Sequence, residues 1–280
     1  MKRVILICLA VILAASCRKA CFPEEAEMDT MVVEGWIDSG MPPIVFVSAP
    51  VKAVDNLRAS TSLSDVNLRH AKVTIECDGQ TYPLTCRYSE AYFLRFYFTT
   101  SELIGEVGKS YHLRVEYLDD VAEAVATITP PKEIDKLTVV RAENEPDSYS
   151  IQAYLHNDTS KREYFKFFVW NTTEDSSYAS SFSETFSNEG AAEEVCVTVK
   201  GSTRLTTEGA EVNFHKGDTV KVKLATMNSE AFEFWKGFDQ NSTCLRFPII
   251  SVFRNCKGNV NGALGYWIGY GTNEYTVCVE

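Results

Sequence analysis

The chain has 280 residues, of which 45% are hydrophobic and 23% are charged, and its formal net charge at pH 7 is −11. This apolar content is typical of a folded protein and argues against intrinsic disorder, and the length favours two domains. The acidic balance argues against binding to nucleic acid and against electrostatic adhesion to anionic lipid, both of which require a basic surface.

The first segment has the layout of a secretory signal peptide. Lys2 and Arg3 give it a positive start, and an apolar run follows over 4–15. The run is too short to cross the roughly 30 Å hydrocarbon core of a bilayer as a helix. The residues that close the segment resemble a bacterial lipobox: Leu13-Ala14-Ala15-Ser16-Cys17. We therefore predict that residues 1–16 are a lipoprotein signal peptide; the alternative is an ordinary secretory signal in which Cys17 is incidental.

The lipobox resemblance implies that the Cys17 thiol receives diacylglycerol and that the amino group freed by cleavage is acylated. One acyl chain gives only marginal membrane binding, so the full set of chains is what anchors the protein. The anchor implies an outer-membrane lipoprotein, on either the periplasmic or the surface-exposed face. Residues 17–27 are polar, contain Pro23 and show no hydrophobic period, so they are predicted to be a tether.

Short strands separated by turn signals fill residues 28–130. The clearest feature is a hairpin in which 71–77 and 80–86 flank Asp78-Gly79, the dipeptide favoured in a type I′ turn. In that register the pairing continues without a break as far as Ala71 opposite Cys86, with one apolar face and one polar face. Seven strands in about 100 residues predict an immunoglobulin-like or fibronectin-like sandwich, which ends at Pro130-Pro131.

Residues 131–280 are predicted to form a second β-rich domain, with strands that include 136–141, 148–156 and a last strand at 274–279. One short helix is predicted at about 229–240, where Asn228 or Ser229 suits the N-cap position. Phe232, Trp235 and Phe238 recur there at a helical spacing. A polar excursion over 171–194 is predicted to be a flexible segment or a functional flap. The fold class is therefore all-β, a sandwich followed by a second β-domain.

Two groups of aromatic residues are candidate ligand or partner sites. Tyr266, Trp267 and Tyr270 lie in a glycine-rich run, where flat rings beside glycines suit a sugar or peptide surface. Alternation places Trp267 on one face of that run and the two tyrosines on the other, and the alternative is that all three rings are core residues. The other group lies in the excursion at a spacing of four, and either contacts a partner or packs onto the sheet: Tyr178, Phe182 and Phe186.

The cysteines permit disulfides in an exported protein but form no metal-binding pattern. Seven remain after Cys8 leaves with the signal and Cys17 is acylated: Cys21, Cys77, Cys86, Cys196, Cys244, Cys256 and Cys278. Cys77 and Cys86 lie about 20 Å apart along the hairpin, beyond the roughly 7 Å between Cα atoms that a bridge allows. Bridges between Cys244 and Cys256 or between Cys256 and Cys278 both remain open.

Several stretches, taken in order, resemble one family. They occupy 32–37, 71–75, 108–113, 126–130, 229–235 and 259–266. The chain resembles the Bacteroidetes outer-membrane lipoproteins called domain of unknown function 4249. This resemblance implies a lipoprotein that is frequently partnered with a TonB-dependent transporter, and it implies no catalytic residue.

Enzyme signatures are absent from the sequence, which has no Gly-x-Ser-x-Gly elbow, no His-Glu-x-x-His pair and no phosphate-binding glycine loop. We therefore predict a non-catalytic outer-membrane or surface lipoprotein, without metal or cofactor, that assists nutrient capture with a TonB-dependent transporter. Two alternatives stay open. One is a structural or adhesive surface protein that binds glycan or protein, and the other is an envelope hydrolase whose carboxylates meet only in space.

Overall fold

The described part of the chain folds into nineteen β-strands and one helix. The computed structural model describes residues 31–50, 66–141, 147–202, 205–206, 209–210, 212–246 and 256–280. Strands far outnumber helix among the described residues, which confirms the predicted all-β class. The predicted signal peptide (1–16), the lipidation site Cys17 and the tether (17–27) lie outside the described residues.

The elements follow one another from Val32 to Cys278. The strands of the first half are β1 (Val32–Asp38), β2 (Ile44–Ser48), β3 (Lys72–Cys77), β4 (Gln80–Pro83), β5 (Thr85–Tyr88), β6 (Phe96–Thr99), β7 (Ser110–Tyr117) and β8 (Asp120–Thr127). The second half holds β9 (Lys136–Arg141), β10 (Ser148–His156), β11 (Tyr164–Asn171), β12 (Ala179–Ser180), β13 (Phe186–Ser187), β14 (Glu194–Val199), β15 (Leu205–Thr206), β16 (Gly209–Ala210), β17 (Phe214–His215), β18 (Thr219–Met227), α1 (Ser229–Arg246) and β19 (Leu264–Cys278).

One large sheet runs through both halves of the sequence. Its order is β12-β11-β18-β19-β1-β2-β6-β5, and β13 also pairs with β11. The long strand β19 joins the halves, because its first part pairs in parallel with β1 and its second part pairs antiparallel with β18. The predicted last strand, 274–279, is therefore only the end of a much longer strand.

Two smaller sheets cover one face of the large sheet, so the architecture is that of two sandwiches sharing a sheet. The sheet β4-β3-β7-β8 packs on the half that contains β1 and β2, around a core that includes Ile37, Ile75 and Trp267. Strands β9, β10, β14 and β17 pack on the half that contains β11 and β18, around Phe167 and Leu224. Burial of alternate residues on this face accounts for the period-2 pattern of the strands.

The predicted hairpin at Asp78-Gly79 is confirmed, but it is shorter than the sequence suggests. Both turn residues have positive φ, and Cys77 pairs with Gln80 as the type I′ turn requires. The predicted pairing of Ala71 with Cys86 is wrong. The paired register ends with Thr74 opposite Pro83 on the edge strand β4, and one further hydrogen bond runs from the Leu84 N–H to the Val73 carbonyl at 2.9 Å. The chain then crosses to the large sheet, where Cys86 pairs with Phe98.

The linker between β8 and β9 crosses directly over β19. Two glycines of β19 have no side chain at the crossing and so leave room for the linker backbone. A Cβ on Gly269 would lie 2.8 Å from the carbonyl carbon of Thr127, and one on Gly271 would lie 2.1 Å from the carbonyl oxygen of Thr129. The close approach that these glycines permit is thus to the protein's own backbone. The glycine-rich run was predicted to bring rings near a ligand, and the structure gives its glycines this packing role.

The predicted helix is confirmed and extends from Ser229 to Arg246, beyond its predicted end at about 240. The Asn228 side chain accepts a hydrogen bond from the Ala231 N–H at 2.9 Å, so Asn228 is the N-cap. Trp235 is buried against the sheet, together with Phe234, which the predicted aromatic face did not include. Within the described residues, no helix is long and apolar enough to cross a membrane.

The excursion over 171–194 contains the short strands β12 and β13 and no helix, so the spacing of four between its rings does not mark one face of a helix. Ser181, Ser183 and Thr185 are buried within it. Their hydroxyls form hydrogen bonds, for example from Ser183 to the Thr198 carbonyl at 2.7 Å. Local side-chain bonds of this kind compete with helix formation in a Ser- and Thr-rich segment.

No bridge joins Cys256 to Cys278 in the described part of the chain, and the Cys244 side chain lies outside that part. Cys256 and Cys278 are free thiols, as are Cys77, Cys86 and Cys196. Cys77 and Cys86 are not bridged, but the reason differs from the hairpin argument, because the two residues belong to different sheets. Cys21 lies outside the described residues.

Candidate functional site

The outer face of the large sheet, opposite the two cores, carries a continuous set of aromatic and charged side chains. Alternation along the strands directs them to this side, which we call the aromatic face. It is lined by Trp36 and Asp38 of β1, Phe168 of β11, Lys223 of β18, and Tyr266 and Tyr270 of β19. Because β19 joins the two halves, residues from both sandwiches meet here.

Helix α1 covers one end of the aromatic face. The Trp235 ring packs edge-on against Phe168, with the ring centroids 5.4 Å apart. Its indole N–H donates a hydrogen bond of 2.6 Å to the Tyr270 hydroxyl. Burial raises the pKa of Tyr270, so the phenol stays neutral at physiological pH. The helix therefore fixes both tyrosines, since the Tyr266 ring packs at a tilt against Phe234 with 4.5 Å between centroids.

A buried ion pair lies at the centre of the face. The Lys223 ammonium donates to Asp38 Oδ2 at 2.7 Å, and the two side chains are only 11% and 6% exposed. Glu274 lies 3.8 Å from the same ammonium, which also sits 4.3 Å from the centroid of the Tyr178 ring. Burial raises the pKa of Asp38, and the Lys223 charge opposes that shift.

A second buried pair ties the helix and the excursion to the sheet. Lys166 of β11 has no exposed side-chain surface and donates to Asp239 Oδ1 of α1 at 2.7 Å. The other oxygen of Asp239 accepts hydrogen bonds from the Thr185 N–H at 2.7 Å and hydroxyl at 2.6 Å. Burial lowers the pKa of Lys166, and Asp239 opposes that shift. This pair is internal to the packing of the helix and the excursion on the sheet.

An open groove of about 480 Å³ lies where the two sandwiches meet on the aromatic face. One wall comes from the loop before β6, including Tyr92, and the other from the start of the excursion, including Tyr178. The walls are tied together, because the hydroxyls of Ser176 and Ser177 donate to the Ala91 carbonyl at 3.1 and 2.9 Å. A smaller cavity of about 180 Å³ beside α1 shares Trp36, Asp38, Tyr178 and Lys223 with the groove.

The structure separates the aromatic residues that the sequence grouped. Trp267 is fully buried in the first core and donates its indole N–H to the Tyr111 carbonyl at 2.9 Å, so it is not accessible to a ligand. Tyr266 and Tyr270 lie on the opposite face, as alternation predicts, and line the smaller cavity.

The rings of the excursion also diverge. Tyr178 lies in the groove, whereas Phe186 packs in the second core, 5.1 Å from the Phe165 ring centroid. Phe182 lines a different surface cavity beside β14, and one side of Phe186 lines that cavity too. These three side chains therefore do not form one contact patch.

The sequence reasoning missed Trp36, Asp38, Tyr92 and Lys223 as site residues. The signal was present in part, since β1 alternates buried Val33 and Ile37 with residues that face the other way. Two lysines, Lys221 and Lys223, interrupt the apolar run of β18 and are a similar signal. Within the described ranges, no group of three or more His, Cys, Asp or Glu side chains could hold a metal ion.

A family model described as Domain of unknown function (DUF4249) matches residues 21–276. The chain belongs to this family. The DUF4249 match covers both sandwiches and the groove between them, so the candidate site lies within the family's domain. No curated protein matches the chain.

Proposed function

We propose that this DUF4249 protein is a non-catalytic outer-membrane lipoprotein that captures a nutrient molecule and passes it to a TonB-dependent transporter. The observation that carries the proposal is the Leu13–Cys17 motif at the end of a signal-like segment. Acylation of Cys17 would anchor the chain through lipid. The acidic composition, at −11, offers no electrostatic route to an anionic membrane surface.

The arrangement of the body supports a binding role. The groove of about 480 Å³ lies within the roughly 300–1,000 Å³ range of small-ligand sites, and such sites are common where domains meet. The charged groups of the groove are paired with each other, as the Lys223 ammonium is with the Asp38 carboxylate. A paired acid or base is less available for proton transfer to a substrate, so the groove suits ligand binding better than acid–base catalysis.

Co-purification tests the proposal. The full chain, tagged at its C-terminus, would be extracted from its native membrane in mild detergent and its partners identified by mass spectrometry. We expect a TonB-dependent transporter barrel to be enriched, and Cys17→Ser to abolish that enrichment because the protein leaves the membrane. An anchored protein that enriches matrix or surface proteins and no transporter would contradict the capture role and favour an adhesive one.

A further inference from the structure

We infer that the groove between the two sandwiches binds a neutral pyranose sugar, which names the ligand class of the proposed capture function and rests on that function. The rings of the groove and its charges carry this inference. The rings favour a ligand with an apolar face, and the charges disfavour both ions and purely aliphatic molecules.

The walls offer flat apolar surface with polar tips. Trp36, Tyr92, Tyr97, Trp170 and Tyr178 line the groove, and each is only partly buried. Trp36 is held by its neighbours, with ring centroids 5.9 Å from Phe46 and 6.4 Å from Tyr92. Rings positioned in this way provide large contact area at a low entropic cost. A ligand with an apolar face suits these walls.

The charges of the groove are balanced and already engaged. It contains two lysines and two carboxylates, namely Lys221, Lys223, Asp38 and Glu274. Lys223 bonds to Asp38, and the Lys221 ammonium lies 4.5 Å from the centroid of the Trp170 ring. An anion would compete with Asp38 for Lys223, and a cation would compete with Lys223 for the carboxylates. Separating a buried pair leaves an uncompensated charge, so a neutral ligand is favoured.

The charged groups nevertheless require a polar ligand. A purely aliphatic molecule would shield the carboxylate oxygens and ammonium hydrogens from water and would offer them no hydrogen bond in return. Burial of polar groups without a hydrogen-bond partner costs free energy. A pyranose combines both requirements, because its C–H face is apolar and its hydroxyls donate and accept hydrogen bonds at the rim. Asp38 and Glu274 then act as acceptors, and the two lysines act as donors.

Tryptophan fluorescence of the full chain provides the test, because two of the four tryptophans, Trp36 and Trp170, line the groove. The protein is held in a polyoxyethylene detergent, since alkyl glucosides and maltosides carry a sugar. The probes are the methyl pyranosides of glucose, mannose, galactose and N-acetylglucosamine, and cellobiose. Leucine serves as the zwitterionic probe and glucose 6-phosphate as the anionic one.

We expect saturable quenching by at least one neutral sugar below roughly 10 mM, the weak end of specific binding. The dissociation constant should change less than about twofold between low and high salt, since the ligand carries no charge to screen. The sugar should be recovered chemically unchanged. Quenching by none of the neutral probes, or tighter binding of leucine or glucose 6-phosphate, would overturn the inference.

Two variants locate the effect. Tyr92→Ala removes a groove wall on a loop and should weaken sugar binding about tenfold, the loss of one aromatic stacking partner. Tyr88→Ala removes a half-exposed ring near the same loop that does not line the groove, and should leave binding within about twofold. Equal effects of the two variants on binding would mean that the sugar binds outside the groove.

The two experiments test the site and the delivery role separately. Sugar binding without co-purification of a transporter would contradict the proposed delivery role and leave the sugar site supported. Co-purification of a transporter without sugar binding would overturn the sugar site alone.

Discussion

Trp267 is the largest side chain without exposed surface in the described part of the molecule. Its ring lies against Gly35, where a Cβ would come within 3.0 Å of it, and its N–H is bonded to the Tyr111 carbonyl. It thereby links β19 to the first core. A ring in this position stabilises the fold and has no route to a ligand.

Trp267→Ala should lower the free energy of unfolding by about 3–5 kcal/mol, the usual cost of deleting a fully buried aromatic ring. Phe93→Ala is the matched control, since that ring is 78% exposed, and it should change stability by less than about 0.5 kcal/mol. Urea denaturation measures both. Unchanged stability in Trp267→Ala would mean that the ring is not the core residue described here.

Glu34 shows a different consequence of burial on strand β1. Burial raises its pKa above the ordinary 4.5, so the folded state holds the proton more tightly than the unfolded chain does. The stabilising contribution of this group is present below the unfolded pKa and is lost as pH rises through the folded pKa. At neutral pH the ionised carboxylate therefore destabilises the fold.

Glu34→Gln should consequently raise the stability near neutral pH, and the gain should shrink as the pH is lowered towards 4. Glu76→Gln, on the exposed side of β3, is the control and should show no such gain. Thermal unfolding across the pH range provides the measurement. A gain that is the same at both ends of the range would contradict the burial argument.

Among the secondary-structure elements, three are connected through Asp239. This residue of α1 receives the Lys166 ammonium of β11 and two hydrogen bonds from Thr185 of the excursion. The two ends of the ion pair are unequal, because the Lys166 side chain is 0% exposed and that of Asp239 is 12% exposed. This inequality gives the two single substitutions different costs.

Asp239→Asn should destabilise the protein by about 3–5 kcal/mol, because it removes the carboxylate that pairs directly with a buried ammonium. Lys166→Met should cost less than half as much, since Asp239 retains its bonds to Thr185 and some contact with water. Chemical denaturation of both variants gives the comparison. Equal costs, or a larger cost for Lys166→Met, would count against this assignment.

Local elements could be read from the sequence, whereas their long-range pairing could not. β9 and β10 begin and end where alternation predicts, and the Asp78-Gly79 turn follows from its preference for positive φ. The parallel pairing of β1 with β19 has no local signal, since Val32 pairs with Leu264 across most of the chain. Glycines at 265, 269 and 271 also made the first half of β19 resemble a turn-rich segment.

The same distinction holds for the candidate site. Alternation predicts that Tyr266 and Tyr270 share a face, because the period of a strand is two residues. Asp38 and Lys223 are 185 residues apart, and they meet only because β19 lies between their strands in the sheet. A site assembled by sheet order is not visible in residue spacing.

The molecule as a unit depends on how its two sandwiches are joined, which is by a shared sheet and by the linker that crosses it. Gly271 marks that crossing, because a Cβ there would lie only 2.1 Å from the Thr129 carbonyl oxygen and 2.7 Å from the Pro131 nitrogen. Both contacts are to backbone, which cannot rotate away as a side chain can. The junction that forms the groove therefore depends on the absence of a side chain here.

Gly271→Ala should destabilise the protein by about 3 kcal/mol or more, the upper end of overpacking costs. Gly237→Ala is the matched control: it lies inside α1, its nearest neighbour would be 3.5 Å away, and helix propensity favours alanine by about 1 kcal/mol. Calorimetry of the two variants should give midpoints that shift in opposite directions. A tolerated alanine at 271 would contradict the close crossing.

The proposed role of the molecule as an anchored capture protein depends first on the chemistry of Cys17. That chemistry is measured by the mass of the N-terminal peptide of the full chain purified from its native membrane. We expect a mature chain that begins at Cys17 and carries a diacylglyceryl group on sulfur and an acyl group on nitrogen. A chain that begins at another residue, or one with a free Cys17 thiol, would contradict the anchored role.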